Sequence, residues 1–137
     1  MATSRSRYAA CKLVEDRILK LKTEAGREPD YTGVVVIEDI LLVTEWNERN
    51  LHLYSRHDGR LLSSHELESR PRGVCLISKT ECAVCLWDSK IVMLSIKSID
   101  DVKRVKTFNA KTGFDEFYSV AKWNSDKLVV SGWKWED

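Results

Sequence analysis

Cys82 and Cys85 are separated by two residues, the spacing that in a turn offers two thiolates to a zinc ion or to disulfide exchange. The run that carries them, Glu81-Cys82-Ala83-Val84-Cys85-Leu86, reads instead as a β-strand, where residues three apart project to opposite faces. Two thiolates pointing apart cannot grip one ion. No second C-x-x-C and no paired histidines follow, and Cys11 and Cys75 lie in unrelated contexts, so all four cysteines read as buried structural residues and no metal site is expected. His57 beside Asp58 suggests part of a catalytic triad, yet Gly59 follows them, and hairpin-turn chemistry accounts for both residues. His52 and His65 read as strand-face residues. The chain has no G-x-S-x-G, no phosphate-cradling glycine loop and no H-E-x-x-H. It reads as a non-enzyme with no catalytic residue and no cofactor.

Tryptophan offers chemistry of another kind. Trp46, Trp87 and Trp133 occupy equivalent points, each just after the second strand of a repeated unit. Large rigid side chains at a rim anchor protein interfaces, and at a fixed period they also pack one repeat against the next. Arg49 and Lys90 lie on the same turns as Trp46 and Trp87 and would add charge-assisted contacts. These five residues form the candidate protein-binding set. Arg104, Lys106 and Lys111 form the alternative set, for RNA, drawn from the one dense basic cluster of the β region. Strand alternation sets Lys103 on the face opposite Arg104 and Lys106, so that patch is modest. A protein target is the favoured partner.

The elements that must position these residues repeat. Gly33-Val34-Val35-Val36-Ile37 leads to Leu42-Val43-Thr44-Glu45-Trp46, and Gly73-Val74-Cys75-Leu76-Ile77 leads to Ala83-Val84-Cys85-Leu86-Trp87. The period of about 40 residues suits four-stranded propeller blades. In the first unit strands are expected near Gly33 to Ile37, Ile40 to Glu45, Leu51 to Ser55 and Leu61 to Leu67; in the second, near Val74 to Ile77, Cys82 to Leu86, Ile91 to Ile96 and Val102 to Phe108. Asp58-Gly59 marks a tight hairpin. A third unit starts at Val120 and runs through Lys127 to Ser131 to Trp133. The chain thus carries two blade-like units and half of another, fewer than the roughly four to eight of a closed ring, which points to a fragment of a larger protein. The N-terminal helix folding back and self-association through the open blade edge or that helix are the other ways to cover what such a stack exposes.

That helix is expected from Ser4 to about Glu24, where Tyr8, Cys11, Val14, Ile18 and Leu21 recur at three and four residues before Gly26 and Pro29 break the pattern. The fold class is therefore all-β: a partial β-propeller of four-stranded antiparallel blades after one N-terminal amphipathic helix, with residues 1–29 as helix and linker and 30–137 as the propeller region. A formal net charge of +1 over 137 residues draws no polyanion to the whole surface. The apolar runs are a strand long, far short of the roughly 20 residues of a membrane-spanning helix. The first residues lack the apolar core of a secretory signal, and with reduced cysteines this points to the cytoplasm.

Val43-Thr44-Glu45-Trp46-Asn47-Glu48-Arg49-Asn50-Leu51-His52-Leu53-Tyr54, followed by Asp58-Gly59-Arg60-Leu61-Leu62, resembles an NHL repeat, and Val84, Ile91 and Leu94 keep the corresponding places in the second unit. With the preceding helix, the arrangement resembles the C-terminal propeller of tripartite-motif proteins over roughly Asp30 to Asp137. The resemblance implies a target-capturing propeller of a ubiquitin ligase. The chain departs from the family's pattern at Glu48-Arg49, where an Asn-His pair is usual, and at Glu45, where Asp is usual. It has neither RING nor B-box, so it would not itself be a ligase. WD40 repeats are the neighbouring possibility; Trp87-Asp88 supplies their dipeptide after the second strand instead of at the end of the third.

Overall fold

The computed structural model describes Leu21, residues 29–109 and residues 111–135. The helix expected from Ser4 to Glu24 lies, apart from Leu21, outside the described residues. What is described is all-β. The strands are β1 (Tyr31–Ile37), β2 (Ile40–Glu45), β3 (Asn50–Ser55), β4 (Leu61–Glu66), β5 (Pro71–Leu76), β6 (Glu81–Leu86), β7 (Lys90–Ser98), β8 (Asp101–Asn109), β9 (Glu116–Asn124) and β10 (Lys127–Trp133). Runs rich in Val, Ile and Leu form them, and turn residues separate them. Gly59 takes a φ of 72° to close the β3–β4 hairpin, where the Asp58 carboxylate accepts from the Arg60 amide at 3.0 Å. Among the described residues no helix is long and apolar enough to cross a membrane.

Each strand pairs with its neighbour in sequence, giving antiparallel sheets β1-β2-β3-β4, β5-β6-β7-β8 and β9-β10. The three sheets share one irregularity. Near the start of the first strand of each, one residue is left out of the register with the second: Thr32, Arg72 and Tyr118; β9 also leaves out Trp123 near its end. Such a bulge re-aims its side chain and twists the strand. A side chain on the partner strand attends each one: the Thr44 hydroxyl donates to the Gly33 carbonyl at 3.4 Å, the Gly73 amide donates to Cys85 Sγ at 3.2 Å, and the Ser119 and Ser131 hydroxyls meet at 2.6 Å. Pairing therefore continues past the bulges, which is why β5 begins at Pro71 and β9 at Glu116, ahead of the expected Val74 and Val120.

The sheets stack through their first strands, with β1 against β5 and β5 against β9. Leu42, Leu51 and Leu53 of the first sheet meet Val74, Cys82, Val84 and Leu94 of the second in one core cluster. Cys75, Ala83, Cys85 and Ile91, on the second sheet's other face, meet Phe117 and Val120 of the third. Cys82 and Cys85 thus point to opposite faces. Burying each large aliphatic side chain contributes about 1.5–3 kcal/mol. Polar ties reinforce the first junction: the Ser63 hydroxyl donates to the Ile99 carbonyl at 2.6 Å, with His65 Nε2 3.0 Å from the same oxygen.

The structure corrects one expectation about faces. Arg104 pairs with Leu94 and Lys106 with Met93, with Val105 left out between them. Leu94 and Met93 are adjacent and point to opposite faces, so Arg104 and Lys106 do too. The bulge breaks the alternation on which a shared face depended.

Candidate functional site

In an antiparallel meander, odd strands begin and even strands end at the same edge. That edge therefore gathers the starts of β1, β5 and β9, the β2–β3 and β6–β7 turns, and the link from β4 to β5. The three repeated tryptophans all lie there. The Trp46 amide donates to the Asp30 carbonyl at 2.9 Å, the Trp87 amide donates to the Arg70 carbonyl at 2.9 Å, and the Trp133 carbonyl accepts from the Asp115 amide at 2.8 Å.

Along this edge lies a cleft of about 440 Å³, lined mostly by the first and second sheets and their link, with Glu116 of β9 at its border. Trp46, Arg49 and Trp87 line it together with Arg70, Arg72 and Asp88, and Ser69 and Glu116 complete the wall. Trp87 is 40% exposed. Trp46 is half-buried beneath two guanidiniums, with Arg72 Cζ 4.1 Å and Arg70 Cζ 5.1 Å from its ring centroid. Arg72 reaches there because it is the bulged residue of β5, and its guanidinium also lies 5.0 Å from the Tyr118 ring of β9. Such contacts are worth about 0.5–2 kcal/mol each, more as water is excluded.

The turn that carries Trp46 is held from inside. Glu45 is 3% exposed, and its carboxylate accepts from the backbone amides of Glu48 at 2.7 Å, Asn47 at 2.8 Å and Asp30 at 3.2 Å. A carboxylate so placed satisfies donors that the turn would otherwise bury alone. Arg49 closes this turn at a φ of 58°, a left-handed conformation uncommon outside glycine, while its Nη2 lies 3.1 Å from Glu66 Oε1. Ser89 does the same in the second sheet at a φ of 67°.

Of the five residues expected to bind protein, the structure brings Trp46, Arg49 and Trp87 into one cleft. Lys90 lies beside it, its Nζ 3.7 Å from Asp88 Oδ2, while Ser69 Oγ donates to Asp88 Oδ1 at 3.0 Å. Trp133 lies at the equivalent rim position of the third sheet, its ring edge-on to Trp135 at 6.3 Å. Arg104 turns toward the β4–β5 link, where Glu68 Oε1 lies 3.7 Å from its Nη1 and accepts from the Thr107 hydroxyl at 2.9 Å. Lys106 covers the Phe108 ring at 5.5 Å on the other face, and Lys111 is exposed on the way to β9. Arg70 and Arg72 escaped the sequence reading. Their signal was present as Arg70-Pro71-Arg72-Gly73, two guanidiniums flanking the start of a strand.

His57 and Asp58 sit in the hairpin turn, with His57 Nε2 3.4 Å from Asp39 Oδ1 on the surface. No protein-family model matches this chain, and no curated protein matches it.

Proposed function

We propose that the three sheets are consecutive blades of a β-propeller and that the rim cleft between the first two captures a protein target without catalysis. Three features support the blade reading: the meander order, the bulge repeated at one place in each unit, and the contact between successive first strands. The observation that carries the binding reading is the partly exposed Trp87 sharing one cleft with an arginine-stacked Trp46. Tryptophan and arginine in a shielded depression are the residues that most often dominate protein interfaces. By its likeness to NHL repeats, the segment acts as the target-recognition element of a tripartite-motif-type ubiquitin ligase.

Affinity capture from a cytosolic extract with the full chain tests this, comparing wild type with Trp87→Ala and Arg49→Gly and checking each by circular dichroism. Glycine suits the φ of 58° at position 49, so that variant removes the side chain without straining the turn. Both variants should keep the β spectrum, and Trp87→Ala should weaken retention of the specific partner by about thirtyfold, the effect of losing a central anchor. Folded variants that capture what the wild type captures would contradict the reading.

A further inference from the structure

The cleft holds two cations that the described residues leave without an ion pair. Arg49 pairs with Glu66, and Asp88 is met by Ser69 and Lys90. Arg70 and Arg72, by contrast, make no ion pair among the described residues. Contact with the Trp46 ring does not satisfy their N–H groups. Arg72 Nε is buried and has no hydrogen-bond partner among the described residues, a state that native structures rarely tolerate without a ligand or water. Each guanidinium is a flat fork of donors shaped for a carboxylate, and two that line one cleft and contact one aromatic ring there make a receptor for one.

Building on the reading of the cleft as a protein-binding surface, we propose that its ligand is an acidic peptide segment. An Asp or Glu carboxylate accepts hydrogen bonds from Arg70 and Arg72, while a neighbouring apolar side chain of the peptide lies against Trp87. Asp88 and Glu116 bound the cationic spot. They leave room for one localised negative charge but oppose a chain with a charge on every unit, which favours a peptide over a nucleic acid backbone.

The test uses the full chain on an array of short peptides in which each acidic member is matched by its Asn or Gln twin, with oligouridylate as a nucleic acid arm. Acidic members should bind about tenfold or more tightly than their twins. Arg70→Glu, at an exposed position, should abolish that preference with the circular dichroism spectrum unchanged. Arg72→Lys keeps the charge but not the fork, and should weaken the same peptides several-fold. Equal binding of the twins, indifference to Arg70→Glu, or tighter binding of oligouridylate at this cleft would overturn the inference. If acid preference is absent while Trp87-dependent capture of a protein persists, this inference fails and the proposed function stands; if both are absent, both fail.

Discussion

Glu45 shows how much one side chain can organise at this rim. Its carboxylate gathers three backbone amides, so Glu45→Gln replaces an acceptor oxygen with a second set of donors facing donors. A loss of about 1–3 kcal/mol is expected, read as a lower urea midpoint at unchanged slope. A variant as stable as wild type would remove the claim that this carboxylate holds the turn. The buried cysteines set a second residue-scale expectation. Burial pushes the Cys82 thiol up to about 12 and the Cys85 thiol up to about 11, from 9.0. Above pH 9 the unfolded chain releases these protons while the folded chain keeps them, so stability present below pH 9 is lost as pH rises toward 11 and 12. Each thiol adds a slope of up to about 1.4 kcal/mol per pH unit. Urea titrations from pH 8 to 11 should show this fall, and Cys82→Ala should flatten it; identical slopes would contradict the assignment. The divergence of Cys82 and Cys85 was readable from strand alternation, because β6 is regular. The roles of Glu45 and Arg72 were not: that of Glu45 depends on how the β2–β3 turn brings its amides back to the carboxylate, and that of Arg72 on a bulge that aims it at rings of the neighbouring sheets.

At the scale of elements, the contact between first strands depends on small residues. A Cβ on Gly73 would stand 3.0 Å from Ser119 Cα and 3.3 Å from both the Tyr118 carbonyl oxygen and the Val120 nitrogen, all backbone atoms of β9. Gly33 stands in the same relation to β5, with Val74 N 3.2 Å from its would-be Cβ. Gly73→Ala should therefore push β5 and β9 apart and cost about 1–3 kcal/mol, measured by chemical denaturation. An unchanged midpoint would mean that the third sheet packs more loosely than described. Strand positions were legible because β2, β3, β6 and β7 carry clear apolar runs bounded by turn residues. The starts of β5 and β9 were not, since a bulge at Arg72 and at Tyr118 interrupts the alternation on which such readings rest. The same cause misassigned the faces of β8, where Val105 drops out of register.

Across the whole molecule, the repeat seen in sequence becomes a stack with two apolar junctions and one edge that collects every repeated tryptophan. Repetition told which residues are equivalent. It could not tell that equivalent residues differ in surroundings: Trp46 lies against arginines, Trp87 opens to solvent, and Trp133 meets Trp135 edge-on. At Trp46 the difference comes from Arg70 and Arg72 of the link and the second sheet, and on it rests the proposal that the rim cleft is the recognition site. Amide hydrogen exchange of the full chain, with and without its captured partner, tests that claim most directly. The account predicts new protection confined to the β2–β3 turn around Trp46 and Arg49, the link from Ser69 to Arg72, and the β6–β7 turn at Trp87 and Asp88. Protection along β8 or on the exposed face of β9 and β10, with the rim unchanged, would contradict it.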